Sequence, residues 1–137
     1  MNDDPTDFIH RSMPLCATLG VHADRLDPTE VVLSLGWTPA LCTAGGVMHG
    51  GALMALADSA GAACAFLNLP EGAAGTSTIE SKTNFLRAVK GGSAVATARP
   101  LHIGSGTVVV ETEITNDNHL VAKVTQTQVV LRAKRTG

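Results

Sequence analysis

The sequence predicts an α+β domain in which an antiparallel β-sheet wraps one long, buried helix. Three observations lead there. The stretch from Gly50 to Leu67 is apolar on every face and consists almost wholly of small or helix-forming residues, the pattern of a helix enclosed by other structure. Most of the remainder is strand-like segments parted by turn residues, namely Asp27-Pro28-Thr29, Lys90-Gly91-Gly92, Gly104-Ser105-Gly106 and Asn116-Asp117-Asn118-His119. Connections of hairpin size make the strands antiparallel. The order β-β-α-β-β-β-β, with no internal repeat or low-complexity segment, completes the layout.

Each element follows from its residues. Pro5 to Met13 reads as a short amphipathic helix with Phe8, Ile9 and Met13 as apolar contacts, ended by Pro14, and serves as a lid or packing element. Gly20 to Leu26 and Glu30 to Trp37 form a hairpin, the second strand alternating Val31, Leu33, Leu35 and Trp37 with more polar neighbours. Thr38 to Met48 is a loop leading into the helix. Asn68 to Gly75, with Pro70, Gly72 and Gly75, is a surface connection. Strands are then expected over Thr76 to Arg87, Gly92 to His102, Thr107 to Thr115 and Leu120 to Arg132. In the third of these, Val108, Val110, Thr112 and Ile114 oppose Val109, Glu111 and Glu113, so one face meets the helix and the other meets solvent or a partner.

Composition sets bounds. At 137 residues, 45% hydrophobic and 16% charged, the chain fits one domain, 1–137, with residues 1–14 as an N-terminal helical extension. The net charge of −2 covers an asymmetry: residues 1–30 hold six acids against two bases, residues 81–137 eight bases against three acids. The bases Lys82, Arg87, Lys90, Arg99, Lys123 and Arg132 are scattered, which suits a phosphorylated ligand or a solvated sheet face. Three Phe and one Trp are too few for a nucleic-acid surface. Cys16, Cys42 and Cys64 are odd in number and lack metal-like spacing, and Met1-Asn2-Asp3-Asp4 lacks a signal segment, so the chain reads as cytoplasmic and reduced. Leu41 to Leu69 is weakly charged, but its Gly and Ala content and a mid-span Asp58 argue against a membrane span.

Asp58 is the only charge on the helix. A carboxylate there is paired, exposed in a cleft, or kept for a task, and we read it as the last. At the other end, Gly50 and Gly51 leave the first backbone N–H groups uncovered at the positive end of the helix dipole, able to receive an anion or a carbonyl oxygen becoming one. Eight residues separate Gly50 from Asp58, about 12 Å along the axis. One carbonyl cannot touch both. If both act on one substrate, two copies of the helix must run antiparallel about a two-fold axis, so the spacing implies a dimer with a shared site.

Two stretches carry a family resemblance. Gly46-Val47-Met48-His49-Gly50-Gly51 followed by Leu56-Ala57-Asp58 is similar to the G-x-x-H-G-G and L-x-D of hotdog-fold thioesterases, specifically the PaaI-type acyl-CoA thioesterases. Thr78-Ile79-Glu80-Ser81-Lys82-Thr83-Asn84-Phe85-Leu86-Arg87-Ala88 resembles the strand after the helix in these enzymes, and the match runs from about residue 15 onward. The resemblance implies that the Gly50 N–H, beside Gly51, polarises a thioester carbonyl while Asp58 of the facing subunit acts as nucleophile or general base. It also implies coenzyme A lying across the subunit interface, with Arg87 and Lys90 as candidates near its phosphates, and a homodimer that assembles further to a homotetramer. Ser77 matches a position where some members place a hydroxyl near the reacting water, or is an ordinary strand serine. Thr43 stands where the family commonly has Asn, a departure at the catalytic region.

His49 has two readings: it orients the loop, substrate or partner, or it caps the helix entrance. No metal is expected, because His10, His22, His102 and His119 fall in unrelated segments. Met48 and Met54 read as packing residues, and Cys64 as core. A thioester needs little acid assistance, since its thiolate leaves readily, so one carboxylate and a polarised carbonyl suffice without a cofactor. The expected function is therefore hydrolysis of an acyl-CoA to a carboxylic acid and coenzyme A. A non-catalytic acyl-CoA sensor on the same fold is the alternative. A hotdog hydratase would want a His five residues after its Asp, and Ala63 stands there.

Overall fold

The computed structural model describes residues 4–133, so the first three residues of the N-terminal extension and the last four of the domain lie outside the described residues. Its elements are α1 (Pro5–Ser12), α2 (Pro14–Leu19), β1 (His22–Asp27), β2 (Glu30–Gly36), α3 (Gly50–Leu67), β3 (Ala73–Phe85), β4 (Ser93–Ile103), β5 (Thr107–Asn116) and β6 (His119–Arg132), with two 3-10 turns at Pro39–Leu41 and Ala44–Gly46. The six strands form one antiparallel sheet in the order β1-β2-β4-β5-β6-β3. It curls around α3, which packs against every strand.

Burial follows the alternation of the strands. Val31, Leu33 and Leu35 of β2, Ala94, Ala96 and Ala98 of β4, and Val108, Val110 and Ile114 of β5 lie under the helix almost without exposure. Small residues on β4 let α3 approach closely. Leu53, Leu56, Ala57, Ala60 and Cys64 fill the space from the helix side. Although α3 is long and apolar enough to cross a membrane, 50% of it is buried within the protein and it serves as the core.

Three expectations change. The spacer Lys90-Gly91-Gly92 is not a hairpin: β3 pairs with β6, and the chain crosses from that edge to the middle of the sheet before β4 pairs with β2 and β5. Sequence spacing sees the length of a connection, not which edge a strand joins. β3 also starts at Ala73, not Thr76, because Ala73 pairs with Arg132 at the end of a long β6. The N-terminal region holds a second helix, α2. Pro14 holds Met13 at φ −132°, ψ 88°, ending α1, and then supplies a first helical residue whose missing N–H costs nothing. Ile9 and Cys16, fully buried, dock the pair against the core.

Candidate active site

Helix α3 starts at Gly50 because the loop before it is pinned by backbone bonds. Thr43 N–H donates to the Val47 carbonyl, Met48 N–H to the Val89 carbonyl and His49 N–H to the Leu41 carbonyl, each at 2.8 Å. Trp37 Nε1–H closes on the Gly46 carbonyl at 3.0 Å. Gly45 and Gly46, at φ +78° and +73°, make the bend that other residues rarely adopt. The His49 side chain caps the helix, Nδ1 accepting from Gly51 N–H at 2.7 Å, while its carbonyl accepts from Ala52 and Leu53 at 2.9 and 3.2 Å. Of the two readings of His49, capping is the contact present. The Gly50 N–H is left as the first-turn amide with no acceptor among the described residues.

Side chains at the two glycines would meet close neighbours. A Cβ on Gly51 would stand 2.9 Å from His49 Nδ1 and block the cap. One on Gly50 would stand 3.1 Å from the Phe85 ring, which closes over the helix entrance.

Asp58 is half-buried two turns further on. Its Oδ1 accepts from the Thr78 hydroxyl on β3 at 2.7 Å and from Gln126 Nε2–H on β6 at 3.3 Å, and Oδ2 accepts from no group among the described residues. Thr78 in turn accepts from Nε2–H of Gln128, its cross-strand neighbour, whose Oε1 accepts from Thr76 at 3.0 Å. The Thr76 hydroxyl lies equally close to the Val129 carbonyl. Gln126 and Gln128 are fully buried beneath the helix. Gln126 fits only because residue 61 is glycine, since a Cβ there would come 2.2 Å from Gln126 Oε1. That Oε1 has no hydrogen-bond partner, a cost of about 1–3 kcal/mol.

Ser77 lies exposed on the opposite side of β3, so the hydroxyl at the carboxylate is that of Thr78, one residue on. The sequence reading passed over Thr78, Gln126 and Gln128. A signal existed for the glutamines: they share a strand face with Ala122, Val124 and Val130, and two amides inside an apolar stripe mark a buried polar feature.

The other candidates line open space beside the helix entrance. Thr43, Gly50 and Arg87 border a cleft of about 400 Å³ together with Leu53 and Phe85. The Thr43 side chain is exposed and contributes through its backbone bond alone. Arg87 also borders a second cleft of about 630 Å³ with Lys90, Ser93, Asn116, Asp117 and His119. Arg87 and Lys90 are exposed and have no partner among the described residues, whereas Arg99 binds Glu30 at 2.7 Å and Lys123 binds Glu111 and Glu113, which hold its ammonium pKa above the ordinary value. Near the far end of α3, a third cavity of about 310 Å³ lies under α1, walled by Phe8, Ile9, Met13, Ala62, Phe66 and Thr76. Cys64 is buried in the core and desolvation pushes its thiol up to about 11, leaving it inert as a nucleophile. Among the described residues no three His, Cys, Asp or Glu side chains gather as metal ligands would.

A curled antiparallel sheet around a central helix is the hotdog fold, the fold of a class of thioester hydrolases. Comparison with known proteins agrees. A family model described as the thioesterase superfamily matches residues 45–123, the span from the helix entrance into β6. A Mycobacterium tuberculosis protein provisionally named an esterase is 30% identical over 112 residues, 80% of each chain. Its solved structure superposes with a TM-score of 0.85 at 28% identity, covering 90% of this chain and all of that one. A Ralstonia eutropha phenylacetic acid degradation-related protein, provisionally named a thioesterase, gives a TM-score of 0.79 at 28% identity over 86% of this chain and 90% of its own. A thioesterase family protein from Silicibacter pomeroyi gives 0.84 at 29% identity over 93% and 96%. The chain belongs to the thioesterase superfamily, on its PaaI-like side, and is a thioester hydrolase.

Proposed function

We propose that the chain hydrolyses an acyl-CoA thioester to a carboxylic acid and coenzyme A at a site shared by two subunits. The observation that carries this reading is the pairing on one helix of an amide without an acceptor, Gly50 N–H, and a carboxylate with one oxygen uncommitted, Asp58 Oδ2. They lie about 12 Å apart, so each serves a carbonyl completed by the other subunit. Two features favour such a dimer. The face of α3 that its own sheet leaves uncovered runs through Gly51, Met54, Ala55, Asp58, Ala62 and Phe66. β3 is an edge strand of 13 residues with exposed Ile79 and Phe85, a long edge that a second copy would cover.

The clefts support a substrate route. The phosphates of coenzyme A meet Arg87 and Lys90, and the pantetheine arm runs past Thr43 and Phe85 to Gly50. The Gly50 N–H, at the positive helix end, stabilises the oxygen of the carbonyl as it becomes an anion; the Gly51 N–H, expected from the sequence to be uncovered as well, is taken by the His49 cap and is no donor to it. Asp58 Oδ2 of the facing subunit either takes the proton from an attacking water, which passes on to the departing thiolate, or attacks the carbonyl itself, expelling the thiolate and leaving a mixed anhydride that water then hydrolyses, the proton freed from that water ending on the thiolate. The acyl chain enters the cavity under α1, whose helix wall begins at Ala62, one turn beyond Asp58, and whose lining is uncharged and apolar apart from Ser12 and Thr76, suited to an aliphatic group.

The test is thiol release from short, medium, long-chain and aryl acyl-CoAs by wild type and Asp58→Asn. Hydrolysis by wild type, cut about 10³-fold in the variant, supports the reading. Binding without turnover by either protein would overturn it in favour of a sensor. Light scattering of the purified protein gives the assembly, with a dimer or a dimer of dimers expected and a monomer contrary.

A further inference from the structure

We infer that Gln126 and Gln128, together with Thr78, form a buried positioning relay that dedicates one oxygen of Asp58 to structure and the other to chemistry. The inference rests on the reading of Asp58 as the reacting carboxylate. The direction of every proton follows from that carboxylate outward. Oδ1 is an acceptor, so the single hydroxyl proton of Thr78 points to it across 2.7 Å. Thr78 must then accept from its other neighbour, and Gln128 presents its Nε2–H there. With its amide nitrogen so placed, Gln128 turns Oε1 to the Thr76 hydroxyl at 3.0 Å. Gln126 adds a second donor to the same Oδ1 at 3.3 Å. Both bonds converge on Oδ1, and Oδ2 accepts from none of the described residues.

The form of the relay argues against a purely structural role. Two fully buried amides lie in a stripe where an aliphatic residue would pack against the helix. One of them leaves its Oε1 without a partner and obliges the core helix to carry a glycine at position 61. A core under no further demand gains nothing from either concession, since apolar residues of the same shape leave no buried group unpaired. What the two amides have in common is the carboxylate, reached directly by Gln126 and through Thr78 by Gln128. A carboxyl group held by two donors on one oxygen cannot rotate about its terminal bond, so its free oxygen stays aimed at the reacting carbonyl.

The experiment uses full-length protein and acyl-CoA turnover. Gln128→Met and Thr78→Val keep size while removing the relay, and Thr78→Ser keeps the hydroxyl. We expect kcat to fall about ten-fold or more in Gln128→Met and Thr78→Val with KM changed less than about two-fold, and Thr78→Ser to stay near wild type. The double variant should be little worse than either single one, because Gln128 acts through Thr78. In an Asp58→Asn background, Gln128→Met should leave the residual rate unchanged. Folded Gln128→Met and Thr78→Val proteins with wild-type kcat would overturn the relay, as would a further loss in the Asp58→Asn background. If Gln128→Met fails to fold, the Thr78→Val and Thr78→Ser pair still decides. Full activity of Asp58→Asn by itself would instead defeat the functional reading on which the relay rests.

Discussion

The two ends of the chemical half of α3 are built in opposite ways. At Gly50 the working group is a backbone amide, and it is made by subtraction. A capping histidine takes the next amide with its ring and the following two with its carbonyl, and two glycines remove the side chains that would obstruct. At Asp58 the working group is a side chain, and it is made by addition, with Thr78 from β3 and Gln126 and Gln128 from β6 brought beneath one helix. The first end needs only neighbours in sequence plus Val89 and Phe85. The second needs the sheet to be complete. A local device is robust to change elsewhere, whereas an assembled one inherits every error in the packing around it.

Mixing subunits breaks the comparison most sharply. Gly50→Pro removes the amide at a position where proline suits the first helical turn and His49 already has a compatible ψ of 134°, though its ring must displace Phe85. On its own it should lower kcat about 10²–10³-fold. Heterodimers of Gly50→Pro with Asp58→Asn should regain about half the wild-type activity, because one of the two shared sites is intact. Verified heterodimers without recovery would show that each site is built within a single subunit.

Removing the two cleft cations, Arg87→Ala with Lys90→Ala, should raise KM for an acyl-CoA about ten-fold with little change in kcat. The same acyl group on N-acetylcysteamine, which lacks the phosphates, should be turned over as by wild type. The difference should shrink as salt is added. Equal effects on both substrates would move the phosphates elsewhere.

Gly61→Ala sharpens the other side of the comparison. In an ordinary helix it stabilises by about 1 kcal/mol, but here its Cβ meets Gln126 at 2.2 Å, so a loss of about 3–10 °C in Tm is expected together with reduced kcat. A gain in Tm would mean that Gln126 leaves the helix freely. Smallest is His49→Ala, which gives up one cap bond and should cost about 1 kcal/mol in thermal unfolding, with a modest loss of activity as the Gly50 amide loosens. A large kcat loss without a Tm change would assign the imidazole a direct part in the reaction.

Much of this was legible in the chain itself. Gly50–Leu67 reads as the buried helix to the residue, because seventeen small or apolar residues with one acid among them have few other places to go. The β5 alternation of Val108, Val110, Thr112 and Ile114 against Val109, Glu111 and Glu113 sorts inside from outside without any structure. Gly50 at the helix start and Asp58 two turns on follow from local spacing, since both are properties of consecutive residues, whereas His49 is reached only through the family resemblance. Other features are decided only by tertiary structure. That β3 pairs with β6 instead of β4 depends on which edge is free once the sheet has curled around α3. The hydroxyl beside Asp58 belongs to Thr78 and not Ser77 because strand faces alternate, and only the register against Gln128 selects the one that faces inward. Gly61 and Gln126 lie 65 residues apart and explain each other solely by contact across the core. Sequence determines what lies along an element, because neighbours in the chain stay neighbours in space; which element comes to lie beneath another is settled when the sheet closes over the helix.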